Sequence, residues 1–183
     1  MAKKTVLVTG CSEGGLGAAL ARAFQQQGFH VFATVRNPAK AAPLASDDIE
    51  VLPLEVTSKE SALQCAEEVK AKTGGTLDVL VNNAGSMFMM PLLDTSIEES
   101  KKLYDVNVWG VLAVTQAFAP LLVRSKGVVL NICSIAGAIR LAWQGKSLVC
   151  LCFASGSFDM SPFKVLTSVR NLQQFKGCRD MDF

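Results

Sequence analysis

The chain has 183 residues, of which 50% are apolar and 19% are charged, and its formal net charge is +2. This length suits one domain, and the apolar fraction excludes a disordered or fibrous chain, because the buried surface can offset the entropy lost on ordering. So small a net charge favours neither nucleic acid nor an anionic membrane as a partner. The chain holds one tyrosine, so chemistry that needs a catalytic tyrosine has one candidate.

The six cysteines show no Cys-x-x-Cys spacing and no nearby histidine. We therefore expect reduced, mostly buried thiols and no metal site. The N-terminus is basic, but its apolar run is only about five residues long and leads into a glycine-rich stretch, which excludes a secretory signal. No run approaches the ~20 apolar residues that span a bilayer, so we expect a cytoplasmic protein without a transmembrane segment.

Five short apolar runs have the pattern of strands that are buried on both faces. They cover residues 5–9, 29–35, 49–56, 77–81 and 128–132. Pro53 lies inside the third run, and a strand that contains proline fits most easily at the edge of a sheet.

Helical patterns occupy the intervals between these runs. The predicted helices are residues 16–27, a short alanine helix opened by Asn37 and Pro38, a helix capped by Ser58, and residues 97–123 in two segments that meet near Gly110. In the helix after Ser58, the buried stripe is predicted to be Ser61, Leu63, Ala66 and Val69. Strands that alternate with helices in this way form βαβ units, so the predicted fold class is α/β, a doubly wound parallel sheet with helices on both faces.

A glycine-rich turn joins the first strand to the first helix and reads TGCSEGGLG over residues 9–17. Glycines let the backbone approach a pyrophosphate, and the helix N-terminus offers unpaired N–H groups and the positive end of its dipole. In this position the turn predicts a dinucleotide site. The alternative is an ordinary turn between a strand and a helix.

The residues after the second strand indicate which dinucleotide is bound. A site for NAD usually places Asp or Glu there to accept a hydrogen bond from the ribose 2′-hydroxyl. This chain has Arg36, with Lys40 one helical turn further along. A guanidinium suits a 2′-phosphate, so the sequence favours NADP(H). The alternative is that both side chains are merely solvated.

Three further motifs accompany the glycine-rich turn. They are LDVLVNNAG at 77–85, the asparagine of YDVNVWG at 104–110, and VVLNICSIAG at 128–137. In this order, over about residues 4–145, the four motifs resemble the short-chain dehydrogenase/reductase family. The resemblance implies a Rossmann-type sheet with strand order 3-2-1-4-5. The glycine motif has one residue more than the usual T-G-x-x-x-G-x-G. This longer form resembles the motif of fungal NADPH-dependent acyl-dihydroxyacetone-phosphate reductase-like members.

The resemblance implies roles for individual positions. The cofactor-binding residues would be Gly10, Ser12, Leu16, Gly17, Thr34, Arg36, Lys40, Glu55, Asn83, Ala84, Gly85 and Arg124. Glu55 stands where the family usually carries Asp against the adenine. Asn107 matches an asparagine that supports a proton relay, and Ser134 matches the serine that hydrogen-bonds the substrate carbonyl. The alternatives are structural roles, with Asn82 and Asn83 tying strand four to its neighbours, Asn107 at a helix kink, and Ser134 capping its own turn.

The family's catalytic Tyr-x-x-x-Lys pair does not occur after Ser134. An ungapped reading places Ser147 in the tyrosine position and Leu151 in the lysine position. Neither residue replaces a phenol whose pKa is lowered by a neighbouring ammonium, and loss of a general acid typically lowers a rate by ~10²–10⁴-fold. Tyr104 precedes Asn107, has no lysine four residues later, and is expected to pack.

The composition changes after residue 145. The first 145 residues contain 20 alanines and the last 38 contain one. We therefore divide the chain into an incomplete NADP-binding domain over 1–145 and an atypical tail over 146–183. The later strands would then be missing, and the fifth strand would form an exposed apolar edge.

Two hypotheses address the tail. One is translation of an unspliced intron or a frameshifted exon, because Gly-Lys-Ser at 145–147 can be encoded by a typical 5′ splice-site sequence. The rival is a genuine shorter protein that keeps a nucleotide-binding half.

The predicted function is an NADP(H)-dependent oxidoreductase that interconverts a carbonyl and an alcohol on a small molecule. The absence of the Tyr-x-x-x-Lys pair places turnover by this chain in doubt. It leaves as the alternative a non-catalytic nucleotide-binding or interaction protein derived from the family. No nucleic acid is expected as a partner, and a homo-oligomer is expected of a full-length relative rather than of this chain.

Overall fold

The computed structural model of the chain describes residues 3–45, 47–133 and 164–167. Six strands occur in these residues. They are β1 (Thr5–Thr9), β2 (His30–Val35), β3 (Glu50–Pro53), β4 (Val79–Asn82), β5 (Val128–Asn131) and β6 (Lys164–Thr167). The α-helices are α1 (Leu16–Gln26), α2 (Ala42–Ala45), α3 (Lys59–Thr73), α4 (Ile97–Tyr104) and α5 (Val111–Ser125). Short 3₁₀ turns cover Pro38–Ala41 and Leu92–Asp94, and a π-helical turn, Asp105–Gly110, joins α4 to α5.

All six strands are parallel and lie in the order β3-β2-β1-β4-β5-β6. The predicted order of the first five strands is therefore confirmed, and β3 with its Pro53 lies at an edge as expected. β1 is central, because Val6 pairs with Val31 on one side and with Val79 on the other. The expectation that the later strands are missing and leave the fifth strand as an exposed edge is corrected, since β6 pairs with β5 and covers its edge.

The sheet separates two apolar layers. Alternate side chains of β1 enter opposite layers, with Val6 on one face and Leu7 on the other. The first layer includes Phe24 of α1, and the second includes Val69 of α3 and Phe118 of α5. These side chains are at most 3% exposed. Helices on both faces bury the sheet and leave its carboxyl ends free to form a site.

The stripe that α3 buries differs from the predicted one. Leu63 is 47% exposed, and Ser61 is only partly buried. The buried residues of the helix are Ala62, Cys65, Ala66 and Val69. Ala66 and Val69 are therefore buried as predicted, whereas Ala62 and Cys65 take the places expected for Ser61 and Leu63, and the four recur at three- and four-residue intervals.

The helical stretch 97–125 is long and apolar enough to cross a membrane, judged by length and composition alone. This corrects the expectation that no run approaches that length. In the structure the stretch contributes to the core, because Val114, Phe118 and Leu122 lie in the same apolar cluster as Leu80 of β4 and Val129 of β5. A core helix of a soluble protein passes the same test, so the stretch does not by itself indicate a membrane span.

An ion-pair network ties the edge strand to its neighbours at the amino ends of the strands. Glu50 of β3 accepts from Lys72 Nζ at 2.7 Å, and its other carboxylate oxygen lies 2.7 Å from His30 Nε2. Burial raises the pKa of the Glu50 carboxyl, but the hydrogen bonds from Lys72 and His30 outweigh it and hold the pKa below its ordinary value of 4.5. The folded state therefore favours the charged form of Glu50.

We expect Glu50→Gln to lower the free energy of unfolding at neutral pH by less than about 1 kcal/mol, because the side chains are a third exposed and solvent screens them. A carboxyl whose pKa is lowered on folding stabilises the protein above its unfolded pKa, and this stabilisation is lost as the pH falls through the folded value. Urea denaturation should therefore show the variant and the wild type converging at acid pH, once the pH has fallen below the lowered folded pKa of Glu50. A difference that persists there would exclude this charge network as the cause.

Candidate functional site

The glycine-rich turn follows β1 and requires glycine at two points. Gly10 has φ +74°, and a Cβ there would lie 2.8 Å from the Cα of Ala84. Residues 12–15 form a tight turn in which the amide of Gly15 donates to the carbonyl oxygen of Ser12 at 3.0 Å. Gly14, the third residue of this turn, has φ +76°, as type II turns need. The turn accommodates the additional residue of the motif.

A second loop, residues 83–86, follows β4 and interlocks with the first. The Thr9 hydroxyl accepts from the amides of Asn83 at 3.0 Å and Ala84 at 2.9 Å. Asn83 Nδ2 in turn donates to the carbonyl oxygens of Thr9 at 2.8 Å and Gly10 at 3.2 Å. Gly17 is buried in the first turn of α1, where a Cβ would lie 2.5 Å from Asn83 Nδ2. Small residues thus let both loops and α1 approach closely.

A cavity of about 290 Å³ opens beside these loops at the carboxyl ends of the strands. Of the predicted residues, it is lined by Gly10, Ser12, Arg36, Glu55, Asn83, Ala84 and Gly85. The helix α1 starts at the same edge of the sheet, and no described residue accepts a hydrogen bond from the amides of Leu16 or Gly17. Unpaired amides at a helix N-terminus attract anions, so this edge suits a ligand that carries phosphate groups.

The two charged residues of the cavity have different surroundings. Arg36 follows β2, is exposed, and pairs with no carboxylate of the described residues. The Glu55 carboxylate accepts from the amide of Thr57 at 3.2 Å and from its hydroxyl at 3.0 Å. Glu55 is thereby engaged within its own turn, and Arg36 remains the one cationic side chain among the described residues of this cavity.

Asn107 lies in the π-helical turn between α4 and α5, which replaces the simple junction expected near Gly110. The residue is 8% exposed. Its Oδ1 atom accepts from the amide of Ser86, and its Nδ2 atom donates to the carbonyl oxygen of Ser86, both at 2.8 Å. Both ends of the side-chain amide therefore hold the loop after β4. The role of Asn107 in a proton relay stays a prediction.

Three further predicted residues do not line the cavity, and two of them, Thr34 and Lys40, support the glycine-rich turn. Thr34 is buried, and its hydroxyl donates to the carbonyl oxygen of Val8 at 3.2 Å, so the side chain is not available to a ligand. Its own carbonyl oxygen accepts from the amides of Gly10 and Cys11. Lys40 contributes its carbonyl oxygen, which accepts from the amide of Glu13, and Leu16 is half exposed at the start of α1.

Arg124 does not join the other predicted residues. It lies in the last turn of α5, with its Nη1 atom 2.7 Å from where a Cβ of Gly75 would stand. Gly75 precedes β4, so this contact is at the amino ends of the strands, opposite the cavity. The physical reason is that a helix connecting parallel strands runs antiparallel to them. The cofactor-binding prediction for Arg124 is therefore corrected, while Ser134 lies outside the described residues.

A buried polar network behind the loop after β4 confirms the expectation that Asn82 ties strand four to its neighbour, and it adds Thr115 and Asn131, which were not predicted. Asn82 Nδ2 donates to Thr115 Oγ1 at 3.1 Å and to Asn131 Oδ1 at 2.9 Å. Asn131 also lines a second cavity of about 230 Å³, together with Asn83 and Asn107. The signal in the sequence is an asparagine that ends an otherwise apolar strand, in VLVN of β4 and VVLN of β5. Such an amide must find buried partners.

Cys11 lies in the glycine-rich turn but faces the core. It is fully buried, and its thiol donates to the carbonyl oxygen of Val8 at 3.2 Å. Burial raises the pKa of this thiol to about 12 and outweighs the opposing effect of a backbone hydrogen bond at Thr34. The thiol therefore stays neutral and takes no nucleophilic role. Among the described residues, no group of His, Cys, Asp or Glu could hold a metal ion.

Comparison with known proteins gives one family. The model described as short chain dehydrogenase matches residues 4–146. The chain is 57% identical over 143 residues to the short-chain dehydrogenase cctT of Talaromyces islandicus, covering 78% of this chain and 50% of that protein. It is 37% identical over 174 residues to the NADPH-dependent 1-acyldihydroxyacetone phosphate reductase of Schizosaccharomyces pombe, covering 92% of this chain and 59% of that protein. The chain thus spans about half the length of the curated relatives it matches.

Solved structures resemble the fold closely. A short-chain dehydrogenase from Streptomyces avermitilis superposes with a TM-score of 0.82 at 29% identity, covering 91% of this chain and 64% of that one. An alcohol dehydrogenase from Thermococcus sibiricus, complexed with 5-hydroxy-NADP, superposes with a TM-score of 0.78 at 28% identity, covering 84% and 68%. These similarities extend over most of the sheet described above.

Proposed function

Because the chain belongs to the short-chain dehydrogenase/reductase family, we propose that it binds NADP(H) in the cavity at the carboxyl ends of its strands. Residues 1–145 would be the nucleotide-binding part of an oxidoreductase that interconverts a carbonyl and an alcohol on a small molecule. We further propose that the protein is soluble and cytoplasmic. The S. pombe relative is by its name NADPH-dependent, which agrees with the proposed cofactor.

The observation that carries the proposal is the close approach of the two loops. A Cβ at Gly10 would meet the backbone of Ala84, and a Cβ at Gly17 would meet Asn83. Side chains are thereby kept out of the junction, and small residues of the two loops, Gly10, Ser12 and Gly85, line the cavity beside it. A diphosphate needs such a wall, because its oxygens bind backbone N–H groups at close range.

The choice of NADP(H) over NAD(H) is supported by charge. Arg36 follows β2, where a residue can reach the adenosine ribose, and no described carboxylate neutralises it. Glu55, the one acidic residue lining the cavity, is hydrogen-bonded to Thr57. A free guanidinium can bind a 2′-phosphate through two parallel hydrogen bonds.

When bound, the cofactor supplies or removes a hydride. The chain's own residues would hold it, with Asn107 fixing the loop at Ser86 and Ser134 proposed to hydrogen-bond the substrate carbonyl. Proton transfer is the weak step, because the one tyrosine, Tyr104, has no lysine four residues later. We therefore propose that this chain binds NADP(H) and reduces carbonyls slowly. Its rate should be lower by roughly 10²–10⁴-fold than that of an enzyme that has its general acid.

Fluorescence titration of the 183-residue protein with NADPH and with NADH tests the proposal, followed by a screen of carbonyl substrates. Tighter binding of NADPH is expected. Arg36→Gln should weaken NADPH binding by about tenfold or more, because a charge-assisted hydrogen bond is lost. NADH lacks the 2′-phosphate, so its affinity should change by less than about twofold.

Arg124→Gln provides the matched control, since it removes the same guanidinium at the opposite edge of the sheet. Both affinities should then stay at their wild-type values. Absence of NADPH binding by the wild type would overturn the proposed function. Equal losses for NADPH and NADH in the Arg36 variant would remove the argument for a 2′-phosphate, and rapid carbonyl reduction would contradict the slow turnover.

A further inference from the structure

Arg22 of α1 connects the glycine-rich turn to the segment before β3. Its Nη2 atom donates to both carboxylate oxygens of Glu13, at 3.1 and 3.0 Å. Its Nε atom donates to Oδ2 of Asp47 at 2.7 Å. The three side chains are between 33% and 43% exposed. We call Glu13, Arg22 and Asp47 the Arg22 bridge.

Glu13 belongs to the turn that lengthens the glycine motif. It directly follows Ser12, which lines the cavity, and it precedes Gly14 with its positive φ. Its amide donates to the carbonyl oxygen of Lys40 at 2.9 Å, so its backbone is anchored as well. The longer turn therefore places a carboxylate beside the part of the cavity that is lined by Ser12. This is where we propose that the phosphate groups bind.

A free carboxylate in this place would act against that ligand in two ways. It would repel the phosphates directly, because like charges at a partly desolvated site oppose each other. It would also compete for Arg36, the cation of the cavity. In the structure Arg22 binds the Glu13 carboxylate, and no described carboxylate pairs with Arg36.

We propose that Arg22 is a positioning residue for cofactor selection, acting through Glu13. By binding this carboxylate, Arg22 keeps it from the phosphates and leaves Arg36 free for the 2′-phosphate. The inference rests on the proposed function, because it concerns the same cavity. Arg22 itself does not line that cavity.

The test uses the full chain with Arg22→Met, Glu13→Gln, and the two substitutions together. Dissociation constants for NADPH and NADH are measured by fluorescence titration, and thermal denaturation is followed for each variant. Arg22→Met should raise the NADPH constant roughly fivefold, as expected for a partly exposed charge, and the NADH constant less than roughly twofold. Glu13→Gln alone should leave both constants within roughly twofold of wild type, and the double variant should return to that range.

Rescue by Glu13→Gln separates the proposed role from a structural one, because a damaged helix would not be repaired by changing Glu13. If Arg22→Met leaves the NADPH affinity unchanged, or if the double variant binds NADPH no better than Arg22→Met, the inference is overturned. The proposed function is not affected by either result. If Arg22→Met does not fold, Arg22→Lys decides, since it keeps the charge without the fork and should show a smaller loss with the same rescue. Failure of the wild type to bind NADPH overturns the proposed function and this inference with it.

Discussion

Replacing Gly10 by alanine is expected to lower the free energy of unfolding by about 3 kcal/mol, with loss of NADPH binding. Two costs combine at this position. The backbone has φ +74°, which an L side chain adopts with strain, and the new Cβ would lie 2.8 Å from the Cα of Ala84. A backbone atom cannot rotate away, so the loops after β1 and β4 must separate. Urea denaturation and NADPH titration measure the two effects.

Gly14→Ala is the matched control for this experiment. Gly14 has nearly the same backbone, φ +76°, but nothing lies within 4 Å of its added Cβ. Its substitution should therefore cost only the conformational strain, about 1 kcal/mol. The difference between the two variants isolates the close approach of the loops. Equal losses of stability would show that this approach contributes nothing beyond backbone conformation.

Asn107→Ala should lower the free energy of unfolding by about 2 kcal/mol, because it leaves the amide and the carbonyl oxygen of Ser86 without their partner. The loop over residues 83–86 would loosen, so NADPH binding should weaken as well. Asn37→Ala is a useful comparison for stability, since the exposed Asn37 side chain accepts from the Ala39 amide alone. A loss no larger than that of the Asn37 variant would contradict the role assigned to Asn107.

Asn107→Asp sharpens this test through pH. A charged carboxylate can still accept from the Ser86 amide, but it cannot donate to the Ser86 carbonyl oxygen. The protonated form can do both, so the pKa of the new carboxyl should be raised on folding. A group with a raised pKa stabilises the fold below its unfolded pKa, and this gain is lost as the pH rises through the folded value. The variant should therefore approach wild-type stability at low pH and fall behind it at neutral pH.

The strands could be predicted because each is a short apolar run. The residue at which a strand ends could not, because it depends on how far the neighbouring strand extends. The run at 49–56 was expected to be one strand, whereas β3 ends at Pro53. Pro53 pairs with Val35, the last residue of β2, and the ladder ends with the amide of Leu54 donating to the carbonyl oxygen of Val35 at 2.9 Å. Leu54 and Val56 are nevertheless buried, which explains why their apolar pattern resembles that of a strand.

The candidate site was predictable where a residue directly follows a strand. Gly10, Arg36 and Asn83 do so, Glu55 lies two residues after β3, and parallel strands bring such residues to one edge. Arg124 ends a helix, so its location depends on the direction of that helix and not on a motif. The engagement of Glu55 with Thr57 and the Arg22 bridge depend on side-chain geometry between segments that the motif leaves unspecified.

The interlocking of the two loops also determines when the site can form during folding. The Thr9 hydroxyl binds the amides of Asn83 and Ala84, which are 74 and 75 residues further along the chain. Contacts this distant form slowly, because the entropy of loop closure is lost before they begin to stabilise the chain. Helices α1 and α3 rest on local hydrogen bonds and can appear earlier. The cleft can exist only once β4 has docked beside β1, so the ligand site arises together with the centre of the sheet.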